Sequence, residues 1–190
     1  MTIFYLVRHA SCNGLGEKLW GRREGVCLTE NGKAEARQLA ERFREVKLNA
    51  IYSSPLERAR ETAEAIARLG GFEVALSDAF NEIDFGNWTG RSFAQLAGDE
   101  RWRSFNTRRS ITSIPGGESF LDVQARVVAE LKRLSLEHPD ERVAIVSHAD
   151  VIKAAIGYAK ETPIDLLQSI EIAPCSVTVL IADKYEIRVK

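Results

Sequence analysis

Thr2-Ile3-Phe4-Tyr5-Leu6-Val7-Arg8-His9-Ala10 begins as a continuous apolar run, β-branched and aromatic, and ends in an abrupt charge. Such a run reads as a buried strand. An Arg-His pair at the end of an early strand lies where an open α/β sheet puts its ligand crevice. Near the other end, Val143 to Val146 is again a short apolar strand, and it runs into Ser147-His148-Ala149-Asp150. If the two strands are parallel neighbours, their C-terminal ends share one sheet edge and His9 can face His148. Either histidine alone would read as a polar residue closing a strand. Two in matched contexts, one beside an arginine, point to a site.

The 190 residues suffice for one domain that buries about 70% of its unfolded surface. With 45% hydrophobic and 28% charged residues the balance is that of an ordinary soluble chain. A net charge of −1 supplies no electrostatic reason to expect nucleic acid or a membrane surface as partner. Cys12, Cys27 and Cys175 are odd in number and form no CxxC pair, which suits a reducing cytoplasm better than a disulfide framework. Ile3 to Val7 is too short for a signal h-region, and no apolar run approaches the roughly 20 residues of a membrane helix.

Working outward from the first strand, Ser11 to Cys27 is glycine-rich and reads as an irregular loop leaving the crevice. Gly14-Leu15-Gly16 lacks the third glycine of a dinucleotide fingerprint. Thr29 is placed to cap a helix whose Ala36, Leu39, Ala40 and Phe43 form one buried stripe. Ala50-Ile51-Tyr52 is a short strand. After it, Ser54, Pro55 and Glu57 fit the N-cap, N1 and N3 positions of a capping box. Arg58 then falls in the first turn of the helix, where an arginine opposes the dipole unless it serves an anion.

Glu73 to Leu76 reads as a strand leading to Asn81-Glu82-Ile83-Asp84-Phe85-Gly86-Asn87-Trp88-Thr89-Gly90, whose alternation on its own fits a surface strand. Ser92 to Arg109 is polar and helix-prone, the kind of insertion that often makes a lid. Pro115-Gly116-Gly117-Glu118-Ser119 launches a long helix with Phe120, Val123, Val127, Leu131 and Leu134 inward. His138 is expected to be exposed at its end. Asp150 is placed to cap a helix that carries Val151, Ile152, Ala155 and Ile156 inward, adding an anion-friendly terminus beside His148. Ser176 to Ile181 and Tyr185 to Val189 finish the sheet around an Asp183-Lys184 turn.

Arg8, His9, Arg58 and His148 thus come from strand ends or helix starts, a ring of donors that suits a phosphoryl group. A neutral imidazole is also a competent nucleophile. Metal binding fares poorly, with no HExxH and no Cys or His pair at ligand spacing, and there is no P-loop.

Arg8-His9-Ala10 resembles the Arg-His-Gly signature of the histidine phosphatase superfamily, phosphoglycerate mutase-like branch. Ser53-Ser54-Pro55-Leu56-Glu57-Arg58-Ala59-Arg60-Glu61-Thr62-Ala63 is similar to its second arginine motif, and Asn81-Glu82 with Phe85-Gly86-Asn87-Trp88 to its acid motif. Pro115-Gly116-Gly117-Glu118-Ser119 and Ser147-His148-Ala149 resemble the remaining two. Five motifs in order span essentially the whole chain.

The resemblance implies a three-layer α/β/α sandwich with a mostly parallel central sheet, residues 1–190 forming a single histidine phosphatase domain. It implies that His9 becomes phosphohistidine, that Arg8, Arg58 and His148 bind the phosphoryl oxygens, and that Glu82 protonates the leaving oxygen and then activates water. The residues alone do not separate Glu82 from Asp84; the family pattern does. Gly21, Arg22 and Arg109 occupy places where relatives contact the rest of the substrate, and the Ala149 amide can donate to phosphate. No metal or cofactor is implied.

Ala10 and Ala149 stand where the family usually has glycine, Thr89 where glutamate is common, and Ser11 where a glutamate often follows the first motif. An alanine at positive φ would cost roughly 1 kcal/mol. Arg8 and Arg58 are expected to lower the pKa of Glu82 until bound phosphate raises it.

The expected function is a metal-independent phosphomonoesterase acting on a small phosphorylated metabolite. A phosphoglycerate mutase is the runner-up, and a catalytically silent phospho-ligand binding protein the reading from another class. The few residues after the last expected strand favour water as acceptor, since no tail is expected to cover the site. Sugar phosphates, phosphoglycerates and α-ribazole phosphate are all compatible with the sequence, which does not set the oligomeric state.

Overall fold

The first strand lies inside the sheet, as an apolar run with no polar alternation must, because both of its faces are covered. The computed structural model describes every residue except Lys184. In chain order its elements are β1 (Thr2–Arg8), α1 (Glu30–Phe43), β2 (Ala50–Ser53), α2 (Glu57–Gly70), β3 (Val74–Leu76), α3 (Phe93–Leu96), α4 (Glu100–Thr107), α5 (Phe120–Glu137), β4 (Arg142–Ser147), α6 (Ala149–Ala159), β5 (Val177–Ala182) and β6 (Ile187–Val189). Short 3-10 turns stand at Asp78–Phe80, Gly86–Trp88 and Ile164–Ser169.

The strand order is β3-β2-β4-β1-β5-β6. β1 and β4 are parallel neighbours in a register that pairs Val7 with Val146 and Arg8 with Ser147, so the two strands end level. β2 runs parallel on the other side of β4, and β3 parallel to β2. β5 pairs antiparallel with β1, and β6 antiparallel with β5. The sheet is therefore mostly parallel, as expected.

Strand periodicity sorts the apolar residues onto two faces. Val7, Ala144 and Val146 face α1 and α2 with Leu39, Phe43, Ala63 and Ile66. Phe4, Leu6, Val143 and Ile145 face α5 and α6 with Phe120, Val123, Leu131, Ile152 and Ala155. Thr29 caps α1 as expected, its side chain accepting from the Gly32 amide. Ser119 and Asp122 form a reciprocal capping box on α5.

Several local expectations give way to packing. Asn81–Gly90 is not a surface strand; Ile83, Phe85 and Trp88 are buried in the larger core, and the chain turns at Gly86–Trp88. Gly86 has φ +47°, and a Cβ there would stand 2.3 Å from the Pro115 carbonyl oxygen, so this crossing of two loops requires glycine. The Ser92–Arg109 segment is no free lid. Leu96 of α3 and Phe105 of α4 are fully buried, and Asp165 accepts from both the amide and the hydroxyl of Ser110. His138 is half-buried rather than exposed: its Nε2 is 3.0 Å from the Tyr52 hydroxyl and its Nδ1 2.7 Å from Glu141. The end of α5 is drawn onto the sheet there, where Thr2 Oγ1 donates to the His138 carbonyl. The expected turn at Asp183-Lys184 includes Lys184, outside the described residues.

Candidate active site

The level ends of β1 and β4 build the site. Past Arg8 the ladder takes one more step, the His9 amide donating to the Ser147 carbonyl at 3.0 Å. His9 and His148 therefore stand side by side, ring centroids 5.2 Å apart and planes inclined by 59°. Both are buried. His9 Nδ1 lies 2.8 Å from the Ala10 carbonyl oxygen. A carbonyl only accepts, so Nδ1 carries the proton and Nε2 keeps its lone pair. Burial first, then the positive charge of Arg58 and Arg8, push the pKa of His9 from 6.5 down to about 3. Burial and the same arginines hold His148 well below its ordinary value. Both rings are neutral at neutral pH.

Arg58, second residue of α2, is 2% exposed, and its Nη2 donates to the Gly21 carbonyl. Gly21 turns at φ +52° to present that carbonyl; a Cβ there would press on Thr89 and Phe85. Arg8 Nη1 donates to the Ile172 carbonyl at 2.6 Å. Arg8 Nε, Arg58 Nη1 and His148 Nδ1 are among the buried donor-capable atoms with no hydrogen-bond partner. Buried polar atoms are nearly always paired. Such donors, set around a neutral imidazole, are the kind of arrangement that can receive an anion.

Glu82 completes the group, with Oε1 accepting from the Ile83 amide and Oε2 3.8 Å from His148 Nδ1. Burial, reinforced by the Asp150 carboxylate, raises its pKa from 4.5 to about 7. Arg58 and Arg8 act in the expected downward direction, but loss of solvation outweighs them. A half-buried scaffold holds the backbone here. Arg22 Nε and Arg126 Nη2 both donate to the Glu82 carbonyl, and Glu118 accepts from both guanidinium groups. Arg22 is thus committed to this scaffold while remaining 36% exposed.

Arg109, expected near the substrate, is buried, pairs with Asp150 at 2.8 Å and stacks on Phe105 and Phe120. Asp150 does not cap α6. His148 occupies the cap position, and Asp150 sits in the first turn, drawn to Arg109. Ala149 opens α6, and neither it nor Ala10 is among the residues with positive φ, so the feared strain does not arise.

The capping box at Ser54 is also absent. α2 starts at Glu57 behind Leu56 with no side-chain cap. The Ser54 amide is bound by the Val146 carbonyl, which keeps the residue in the sheet ladder. Its hydroxyl accepts from the Leu56 amide and lies 2.8 Å from His148 Nε2, and Glu57 instead accepts from the Gly25 amide. Thr62, one turn beyond Arg58, accepts from the Ala10 amide and donates to the Arg58 carbonyl.

Ser54, Thr62, Glu118, Arg126 and Asp150 are the contributors that motif reading passes over. Ser54, Thr62 and Glu118 lay inside quoted motifs and Asp150 was read as a cap; Arg126 had no signal beyond being one more charge on a long helix. A groove of about 780 Å³ between α1 and α2 contains none of these residues. Among the described residues no three His, Cys, Asp or Glu side chains gather as a metal cluster.

The family model for the histidine phosphatase superfamily (branch 1) matches residues 4–190. The chain belongs to that superfamily. As a histidine phosphatase it is 34% identical over 162 residues to phosphoserine phosphatase 1 of Hydrogenobacter thermophilus, covering 81% of this chain and 74% of the relative. The structure of Bacillus stearothermophilus YhfR superposes with a TM-score of 0.92 at 30% identity, covering 100% of this chain and 95% of the other. A phosphoserine phosphatase from Entamoeba histolytica, solved with 3-phosphoglyceric acid, gives 0.88 at 29% identity, over 100% and 95% of the two chains.

Proposed function

We propose that this histidine phosphatase is a metal-independent phosphomonoesterase that hydrolyses a small phosphorylated metabolite through a phosphohistidine on His9. The observation that carries the reading is the neutral His9 ring, its Nδ1 spent on the Ala10 carbonyl and its Nε2 free beside the unpartnered donors of Arg8, Arg58 and His148. Nε2 attacks phosphorus as the ester oxygen leaves, and the arginines and His148 hold the equatorial oxygens. Glu82, with a pKa of about 7, gives its proton to the leaving alcohol. Its carboxylate then takes a proton from water as that water attacks phosphorus, which frees His9 and releases phosphate.

Water is favoured over a returning phosphoglycerate as acceptor. A mutase must keep its phosphoenzyme dry. The segment best placed to cover the crevice is instead tied into the core by Leu96, Phe105 and the Ser110–Asp165 bonds. The three free cysteines suit a cytoplasmic setting, and no helix among the described residues is long and apolar enough to cross a membrane.

The test is acid–base lability of quenched enzyme. Phosphate bound after turnover should be acid-labile and alkali-stable, and missing in His9→Ala. Activity that requires a divalent ion, or that survives His9→Ala, overturns the proposal.

A further inference from the structure

His148 has two ring nitrogens and one proton, and which nitrogen carries it decides whether the ring can donate to a phosphoryl oxygen. Nε2 faces Ser54 Oγ at 2.8 Å; Nδ1 is the buried, unpartnered atom 3.8 Å from Glu82. Ser54 is fully buried, so its hydroxyl hydrogen needs an acceptor inside the protein. Its oxygen already accepts from the Leu56 amide. Among the described residues the other partner of this hydroxyl is His148 Nε2.

Were Nε2 protonated, it would donate to Ser54 and strand the hydroxyl hydrogen with no acceptor. The Nδ1 lone pair would then face the oxygens of any bound phosphate, acceptor against acceptor. The opposite arrangement satisfies the serine hydroxyl and leaves one ring donor for a ligand. The hydroxyl donates to Nε2, and Nδ1–H points toward the acid and the crevice.

We propose that Ser54 is a positioning residue whose hydroxyl donates to His148 Nε2 and so holds His148 in the Nδ1-protonated form, presenting an N–H to the phosphoryl group. This rests on the phosphatase reading for its kinetic consequence but not for the tautomer itself. The backbone secures the geometry, because the Ser54 amide is bound to β4 by the Val146 carbonyl, one residue before the strand ends and two before His148. The serine is thus locked to the same strand whose histidine it orients. Its hydroxyl is engaged by the Leu56 amide and His148, so its effect passes through the ring.

The test is nitrogen-15 NMR of histidine-labelled protein, with His148 assigned by its loss in His148→Asn. Two-bond couplings to the ring carbon protons distinguish the two tautomers directly. Wild type should show His148 protonated on Nδ1. Ser54→Ala should shift it toward the Nε2-protonated form, and Ser54→Thr, which keeps the hydroxyl, should restore it. In parallel, Ser54→Ala should lower kcat by about 10- to 100-fold, less than the roughly 100- to 1,000-fold loss typical when such a donor is removed outright. KM should change little and Ser54→Thr should recover most of the rate.

A wild-type His148 protonated on Nε2 overturns the proposal whatever the variants do, so a Ser54→Ala protein that fails to fold leaves it decidable. It is equally overturned if Ser54→Ala folds and leaves the tautomer unchanged, or if Ser54→Thr is as slow as Ser54→Ala. Absence of any phosphohistidine in wild type would instead remove the phosphatase reading and leave the tautomer result standing.

Discussion

Replacing Glu82 with glutamine should stabilise the protein while disabling it, and the stabilisation should grow with pH. Glu82 has a pKa of about 7 in the fold against an ordinary 4.5. Below pH 4.5 the carboxyl is neutral in both folded and unfolded chains and costs nothing. Between 4.5 and 7 the native state keeps a proton that the unfolded state has lost, so wild-type stability falls as pH rises. Above 7 the group ionises in the fold too and the cost levels off. At about 1.36 kcal/mol per pH unit, the interval from 4.5 to about 7 amounts to about 3 kcal/mol. Glutamine, neutral throughout, removes that cost.

Urea unfolding of wild type and Glu82→Gln in phosphate-free buffer, from pH 5 to 8.5, checks it. The two stabilities should differ by about 1 kcal/mol at pH 5 and by about 3 kcal/mol above pH 8, the variant being the more stable. For a chain of this size that is a Tm gain of about 6–12 °C. Parallel curves across the range, or a variant that is less stable at pH 8, would refute the claim that burial dominates the titration of Glu82.

Three further outcomes are expected. Glu82→Gln should slow esters with poor leaving groups far more than activated aryl esters; equal losses would transfer the acid role, Asp84 being the first candidate. Asp150→Asn removes a negative charge that raises Glu82, so the alkaline limb of kcat/KM against pH should move to lower pH, and an unmoved limb would separate Asp150 from the acid. Gly86→Ala, forced to φ +47° with its Cβ 2.3 Å from the Pro115 oxygen, should cost about 2 kcal/mol or more in chemical denaturation.

The sequence by itself determined the main strands and the long helices. The unbroken apolar run Thr2–Val7 could only be a strand covered on both faces, and the stripes of α1 and α5 repeat at helical spacing, because secondary-structure periodicity is a local property. The matched Arg8-His9 and Ser147-His148 endings likewise carried the shared sheet edge on which the two histidines meet.

Only the tertiary structure decided which groups pair and how they titrate. Ser54 looked like an N-cap from its neighbours, yet its partner His148 lies 94 residues away, just past the end of β4. Asp150 looked like another, yet Arg109, 41 residues distant, claims its carboxylate. The rise of Glu82 against two nearby arginines was invisible for the same reason. Desolvation depends on everything packed around a group, and that packing exists only once distant segments have come together.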